Sequence, residues 1–204
     1  MFGLCGQDRK SFSATRQLAD VVLSLGITLS LLFLPPPFQA QTSTSVEYHA
    51  KAHFLSKFPI FIEWPDDALP PAHAPFLICV FGDFSFGTSL AENTRGTAIH
   101  ERRVEIRWIR KEQELKSCQI LFVSHSEQKR YSQVLESVRS QGVLNVGETA
   151  EFLDAGGIVS FTMQQQTLQF DVNLDGANKV HLRIGSQMLA LARRVVQKTE
   201  AAKI

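Results

Sequence analysis

The residues able to do chemistry are few and scattered. His49 and His53 stand at i, i+4 and could share a metal on one helical face, but no acidic residue lies between them as in a zinc protease. A solvated helix flank accounts for them as well. His125, between Ser124 and Ser126, falls at the expected end of a strand, where parallel-sheet folds place functional groups. Glu101, Glu105, Glu112 and Glu114 are interspersed with Arg107, Arg110 and Lys111 and read as a charged surface. Gly82 and Gly87 enclose four residues as in a phosphate loop, yet Thr88 and Ser89 follow where Lys is required. There is no G-x-S-x-G around any serine and no C-x-x-C. Among these residues we find no catalytic set, no metal site and no cofactor motif.

What remains is binding, where exposed aromatics would supply the energy. Phe61, Trp64 and Phe152 are the candidates for partner contact, because each sits beside a turn signal. For each, ordinary core is the favoured alternative.

The elements that must position these residues are legible in the spacing. Thr44 and Glu47 have capping-box spacing, and Ala50, Phe54 and Phe58 continue as an apolar stripe, predicting a short helix ended by Pro59. Residues 61–65 are extended, and a proline-rich loop follows. Phe76 to Phe81 (FLICVF) and Ile120 to Val123 (ILFV) read as strands buried on both faces, the kind found in parallel sheets. Residues 103–109 alternate as a half-wet strand, 143–146 form another, and Tyr131, Val134, Leu135 and Val138 share one helical face. Ile158 to Met163 and Thr167 to Val172 predict an antiparallel hairpin at the edge of the sheet. Asn173 or Asp175 then caps a long C-terminal helix whose buried stripe is Val180, Ile184, Met188, Leu191 and Val195. The predicted architecture is one α/β domain over 44–198, with a mostly parallel sheet between helical layers.

Charge narrows the partners. The 204 residues carry 21 Lys+Arg and 20 Asp+Glu, a near-balance that argues against nucleic-acid binding. Residues 1–40 stand apart. Arg9, Lys10 and Arg16 precede an uncharged run from Val21 to Leu34, which three prolines close. A run of that length suits a cleaved signal peptide better than a membrane span. Cleavage is expected near Ala40, Ser43 or Ser45. Cys5 leaves with the leader, so Cys79 and Cys118 remain in an oxidising compartment, either bridged or as two buried thiols.

Several segments together resemble the YfiR family of periplasmic proteins. The pieces are Tyr48-x-Ala50-Lys51-Ala52-x-Phe54-Leu55, Phe61-x-Glu63-Trp64-Pro65, Leu144 to Glu148 followed by Phe152, Gly156 to Phe161, Phe170 to Leu174 and Ser186 to Ala192. The resemblance implies a periplasmic α/β domain that represses an inner-membrane diguanylate cyclase by binding its periplasmic sensor region, and so lowers cyclic di-GMP. It also implies a disulfide between Cys79 and Cys118, while a second cysteine pair of the family, expected around 150–160, has no counterpart here. The alternative reading is a ligand-binding or adaptor domain for another membrane sensor such as a histidine kinase. Homo-oligomerisation is left open.

Overall fold

The computed structural model describes residues 40–83, 86 and 88–197. The expected leader, with its cleavage site near Ala40, falls almost wholly outside them.

Chain order begins with helix α1 (Ala40–Lys57), which a 3-10 turn over Phe58–Phe61 extends into strand β1 (Ile62–Glu63). Then come β2 (Phe76–Phe81), α2 (Ser89–Thr94), β3 (Ala98–Ile99), β4 (Arg102–Ile109), β5 (Ile120–Val123), α3 (Tyr131–Ser137) and β6 (Leu144–Gly147). The last part holds α4 (Ala150–Asp154), β7 (Val159–Gln164), β8 (Thr167–Asn173), α5 (Leu174–Lys179), β9 (Arg183–Ile184), α6 (Ser186–Leu191) and β10 (Arg194–Val196).

Eight strands form one sheet in the order β10-β8-β7-β6-β5-β2-β4-β3. The run β4-β2-β5-β6-β7 is parallel throughout. Every residue of FLICVF is buried, as the continuous apolar run requires. Its alternate side chains feed two cores. Phe76, Ile78 and Val80 join Ala52, Leu55 and Phe58 of the α1 segment on one face; Leu77, Cys79 and Phe81 join Tyr131, Val134 and Phe152 on the other. The sheet is thus the middle layer of three.

The second core contains the bridge. Cys79 and Cys118 are joined as a disulfide, with Cα atoms 5.9 Å apart. β2 and β5 are direct neighbours, pairing Ile78 with Ile120, and this brings the segment entering β5 beside Cys79.

Three expectations are corrected. First, α1 starts at Ala40, so position 44 lies inside the helix and not at its start; Glu47 pairs with Lys51. Second, the β7–β8 hairpin is real, with Gln165 and Gln166 at positive φ in its two-residue turn, but it is not the sheet edge. β10 adds in parallel outside β8, and Arg193 and Arg194 both pair with the buried Asp171 there. Third, there is no long C-terminal helix among the described residues. Asn173 does cap α5, accepting from the Gly176 N–H, but His181 turns to φ 59° and the Leu182 N–H closes back on the Ala177 carbonyl at 3.0 Å. Ile184 then pairs with Ile62, and the Gly185 N–H donates to the Phe61 carbonyl at 2.7 Å. The 3.6-residue stripe is therefore shared among separate elements: Val180 and Met188 are buried, whereas Leu191 and Val195 stand exposed.

Thiol titration of the denatured, unreduced mature protein should find no free thiol. Cys118→Ser should cost about 4 kcal/mol for a loop of this length, which lowers the melting temperature by about 10 °C.

Candidate functional site

The strand order reverses direction at β2. From there the chain goes out to β4, then returns to β5 on the other side. In open parallel sheets the crevice at the carboxyl ends of strands beside such a switch point is the usual place for a site. Here β2 runs into Gly82, β5 into Ser124-His125-Ser126, and β6 into Glu148. Gly82 takes φ 100°, and a Cβ there would lie 2.6 Å from Ser126 Oγ, so the two loops can touch only with glycine at this position. The Asp83 N–H donates to that same Oγ at 3.0 Å.

Glu148 is the centre of the crevice. Its side chain is 3% exposed. It accepts from Tyr48 Oη at 3.1 and 3.3 Å, from Lys51 Nζ at 2.5 Å and from the His125 backbone N–H at 2.8 Å, with His125 Nδ1 at 3.0 Å. Lys51 is as deeply buried, and its ammonium also reaches Glu47 at 2.6 Å and lies over the Tyr48 ring, 4.3 Å from the centroid. Burial alone would raise the Glu148 pKa. The Lys51 charge, its hydrogen bond and the donors of His125 outweigh that and hold the carboxyl below the usual range. A carboxylate so committed is ionised at neutral pH and is a fastening, ill suited to proton transfer. It ties α1 to the ends of β5 and β6. A cavity of 330 Å³ opens beside it, walled by Phe161, Thr162, Met163 and Leu168.

The histidines separate. His49 Nδ1 meets Ser89 Oγ at 2.7 Å, while His53 lies at the rim of a different cavity. Among the described residues no group of three or more His, Cys, Asp or Glu is arranged to hold a metal.

That second cavity, of 220 Å³, is almost wholly apolar. Phe54, Phe58, Phe61, Phe170 and Met188 wall it, with Ile60 and Leu191 at its mouth. Ile60 is 65% exposed and Leu191 67%, an unusual display for large aliphatic side chains. Lys57 and His53 supply its polar rim.

Of the three aromatic candidates, only Phe61 belongs here, half-buried in the cavity wall. Trp64 is core, packed edge-on against Phe76 at 5.2 Å. Phe152 is also core, fully buried and edge-on to Tyr131 at 5.0 Å. Neither offers surface to a partner, because the turns beside them fold these rings inward. Periodicity did not single out Tyr48, Lys51 or Glu148, although all three occur in the quoted family segments. Ile60 carried no signal, since an isolated isoleucine before an aromatic reads as core, and Leu191 carried only its place in the supposed helical stripe.

Fold and sites together define an α/β domain, with a buried ionic fastening at the sheet's carboxyl edge and an open apolar cavity beside α1. Residues 48–193 match the YfiR/HmsC-like family, and the chain belongs to it. That family is periplasmic and regulatory rather than catalytic, with a part in cyclic di-GMP signalling. No helix of the described residues is long and apolar enough to cross a membrane. The chain is also similar to a solved conserved domain protein from Vibrio cholerae O1 biovar El Tor, at 10% identity and TM-score 0.48, over 73% of this chain and 60% of that one. A second similar structure is the ABC domain in complex with L-Trp from Streptococcus pneumonia, at 13% identity and TM-score 0.47, over 70% of this chain. The chain spans 60% of the length of either.

The depressed Glu148 pKa has a definite sign. The native state holds the carboxylate more strongly than the unfolded chain, so its contribution to stability is full above the unfolded value near 4.5 and is lost as pH falls through the lower native value. Glu148→Gln should therefore be markedly less stable than the parent at pH 7, and the gap should narrow as pH is taken progressively below 4.5 in thermal melts. Lys51→Met, which strands the buried carboxylate, should cost about 3–5 kcal/mol at neutral pH.

Proposed function

We propose that this chain is a periplasmic repressor that binds the periplasmic sensor region of an inner-membrane diguanylate cyclase and holds the cyclase inactive. The observation that carries the reading is the apolar cavity with Ile60 and Leu191 at its mouth, in a chain of a regulatory family. Large exposed aliphatics around a cavity this size suit a single inserted side chain from a partner segment, the usual form of an interface hot spot. Lys57 on the rim favours an acidic neighbour to that side chain. Phe61 is the aromatic contact of this surface. Repression then needs no chemistry, only a higher affinity for the inactive cyclase than for the active one. The uncharged run at 21–34 serves as the export signal, cleaved between about 40 and 46, and intact mass of the periplasmic protein gives the site.

Deleting the gene should raise cyclic di-GMP, and restoring it should lower the level again. Ile60→Asp and Leu191→Asp should each lose about 2 kcal/mol or more of partner binding, roughly 30-fold. Both should leave the melting temperature nearly unchanged, since both side chains are already exposed. Unaltered cyclic di-GMP in the deletion strain would refute repression. Full repression by both aspartate variants would place the surface elsewhere.

A further inference from the structure

The ionic fastening and the apolar cavity share helix α1. Lys51 and Tyr48 hang the helix from Glu148. One and two turns further on, Phe54 and Phe58 form the cavity's inner wall. Those two rings are the helix's grip on the hairpin: Phe54 lies 6.2 Å from Phe161 and 5.7 Å from Phe170, and Phe58 lies 5.8 and 5.3 Å from the same pair. The chain then leaves α1 directly into Ile60 and Phe61 at the mouth. Any slip of α1 along the sheet therefore changes the cavity's floor and mouth together.

We propose that the Glu148 fastening sets the seating of α1 and thereby the shape of the docking cavity, so that the carboxyl edge of the sheet controls partner binding at a distance. The control of binding rests on the docking reading above; the seating of the helix rests on geometry alone. Glu148 has partners on two segments, α1 and the loop after β5, and all but one of these partners are shielded. Its side chain, that of Lys51 and the Tyr48 residue are nearly inaccessible, whereas the His125 side chain is 62% exposed. His125 is thus the point where solvent, or a group bound in the switch-point crevice, reaches the fastening. It is a positioning residue, two steps removed from the cavity through Glu148 and Lys51.

Hydrogen–deuterium exchange on the mature full-length chain tests this residue by residue. In His125→Ala and Glu148→Gln, amides of 54–61 should exchange about tenfold faster than in the parent, while those of β2 and β5 keep their rates. The same variants should repress cyclic di-GMP less well in the deletion strain. Should Glu148→Gln fail to fold, His125→Ala, altered only at an exposed side chain, decides alone. Unchanged exchange over 54–61 would overturn the proposal. So would equal acceleration in β2 and β5, which marks a merely structural role. Faster exchange over 54–61 with repression intact would overturn the control of binding. Full repression by both Ile60→Asp and Leu191→Asp would instead fault the docking reading and leave the exchange result standing.

Discussion

One buried carboxylate holds three parts of this domain together. Glu148 follows the central strand β6, and its partners come from the first helix and from the loop after β5. An ion pair buried this deeply is a weak source of net stability, because desolvation cancels much of its Coulomb energy. What it supplies is register. An apolar contact would tolerate α1 sliding by an ångström, while a carboxylate with donors on both oxygens does not. The aromatic packing of Phe54 and Phe58 on the hairpin has a defined geometry because the helix is fixed one turn earlier.

The sheet beneath is fixed by different means. β2 is apolar on both faces, so it can only be central, and its two sets of side chains recruit α1 to one side and α3 to the other. The disulfide sits within the second of these cores. The polar fastening is thus at the sheet's edge and the covalent one inside it, each placed where the other would serve poorly. A bridge at the carboxyl edge would freeze the helix that the regulatory reading needs to respond. A charged pair in the second core would have no comparable set of donors.

Local patterns foretold the local elements. FLICVF, ILFV and the hairpin stand where their periodicity put them, and the half-wet strand expected at 103–109 begins one residue earlier, at Arg102. The pattern misled where residues from different elements fell by chance on one period: Val180, Ile184, Met188, Leu191 and Val195 mimic a helix that positive φ at His181 and pairing with β1 break apart. The site was less legible still. Lys51 and Glu148 lie 97 positions apart, and only the topology shows that they meet. Trp64 and Phe152 were marked by their type and by nearby turns, and neither criterion reports which way a ring points. Exposure of Ile60 and Leu191 is a property of the assembled surface, and no window of sequence contains it.

Phe152 has a consequence for how this sequence can drift. Its ring fills the space that a side chain would need at both Gly147 and Gly157: a Cβ would come within 2.2 Å of the ring at the first and 2.3 Å at the second. The two glycines and the phenylalanine are one lock and its socket. A bulkier residue at either glycine demands a smaller one at 152, and a smaller one there leaves a void under Tyr131. Variation among relatives at these positions should therefore be concerted, a substitution at one travelling with a compensating change at the others.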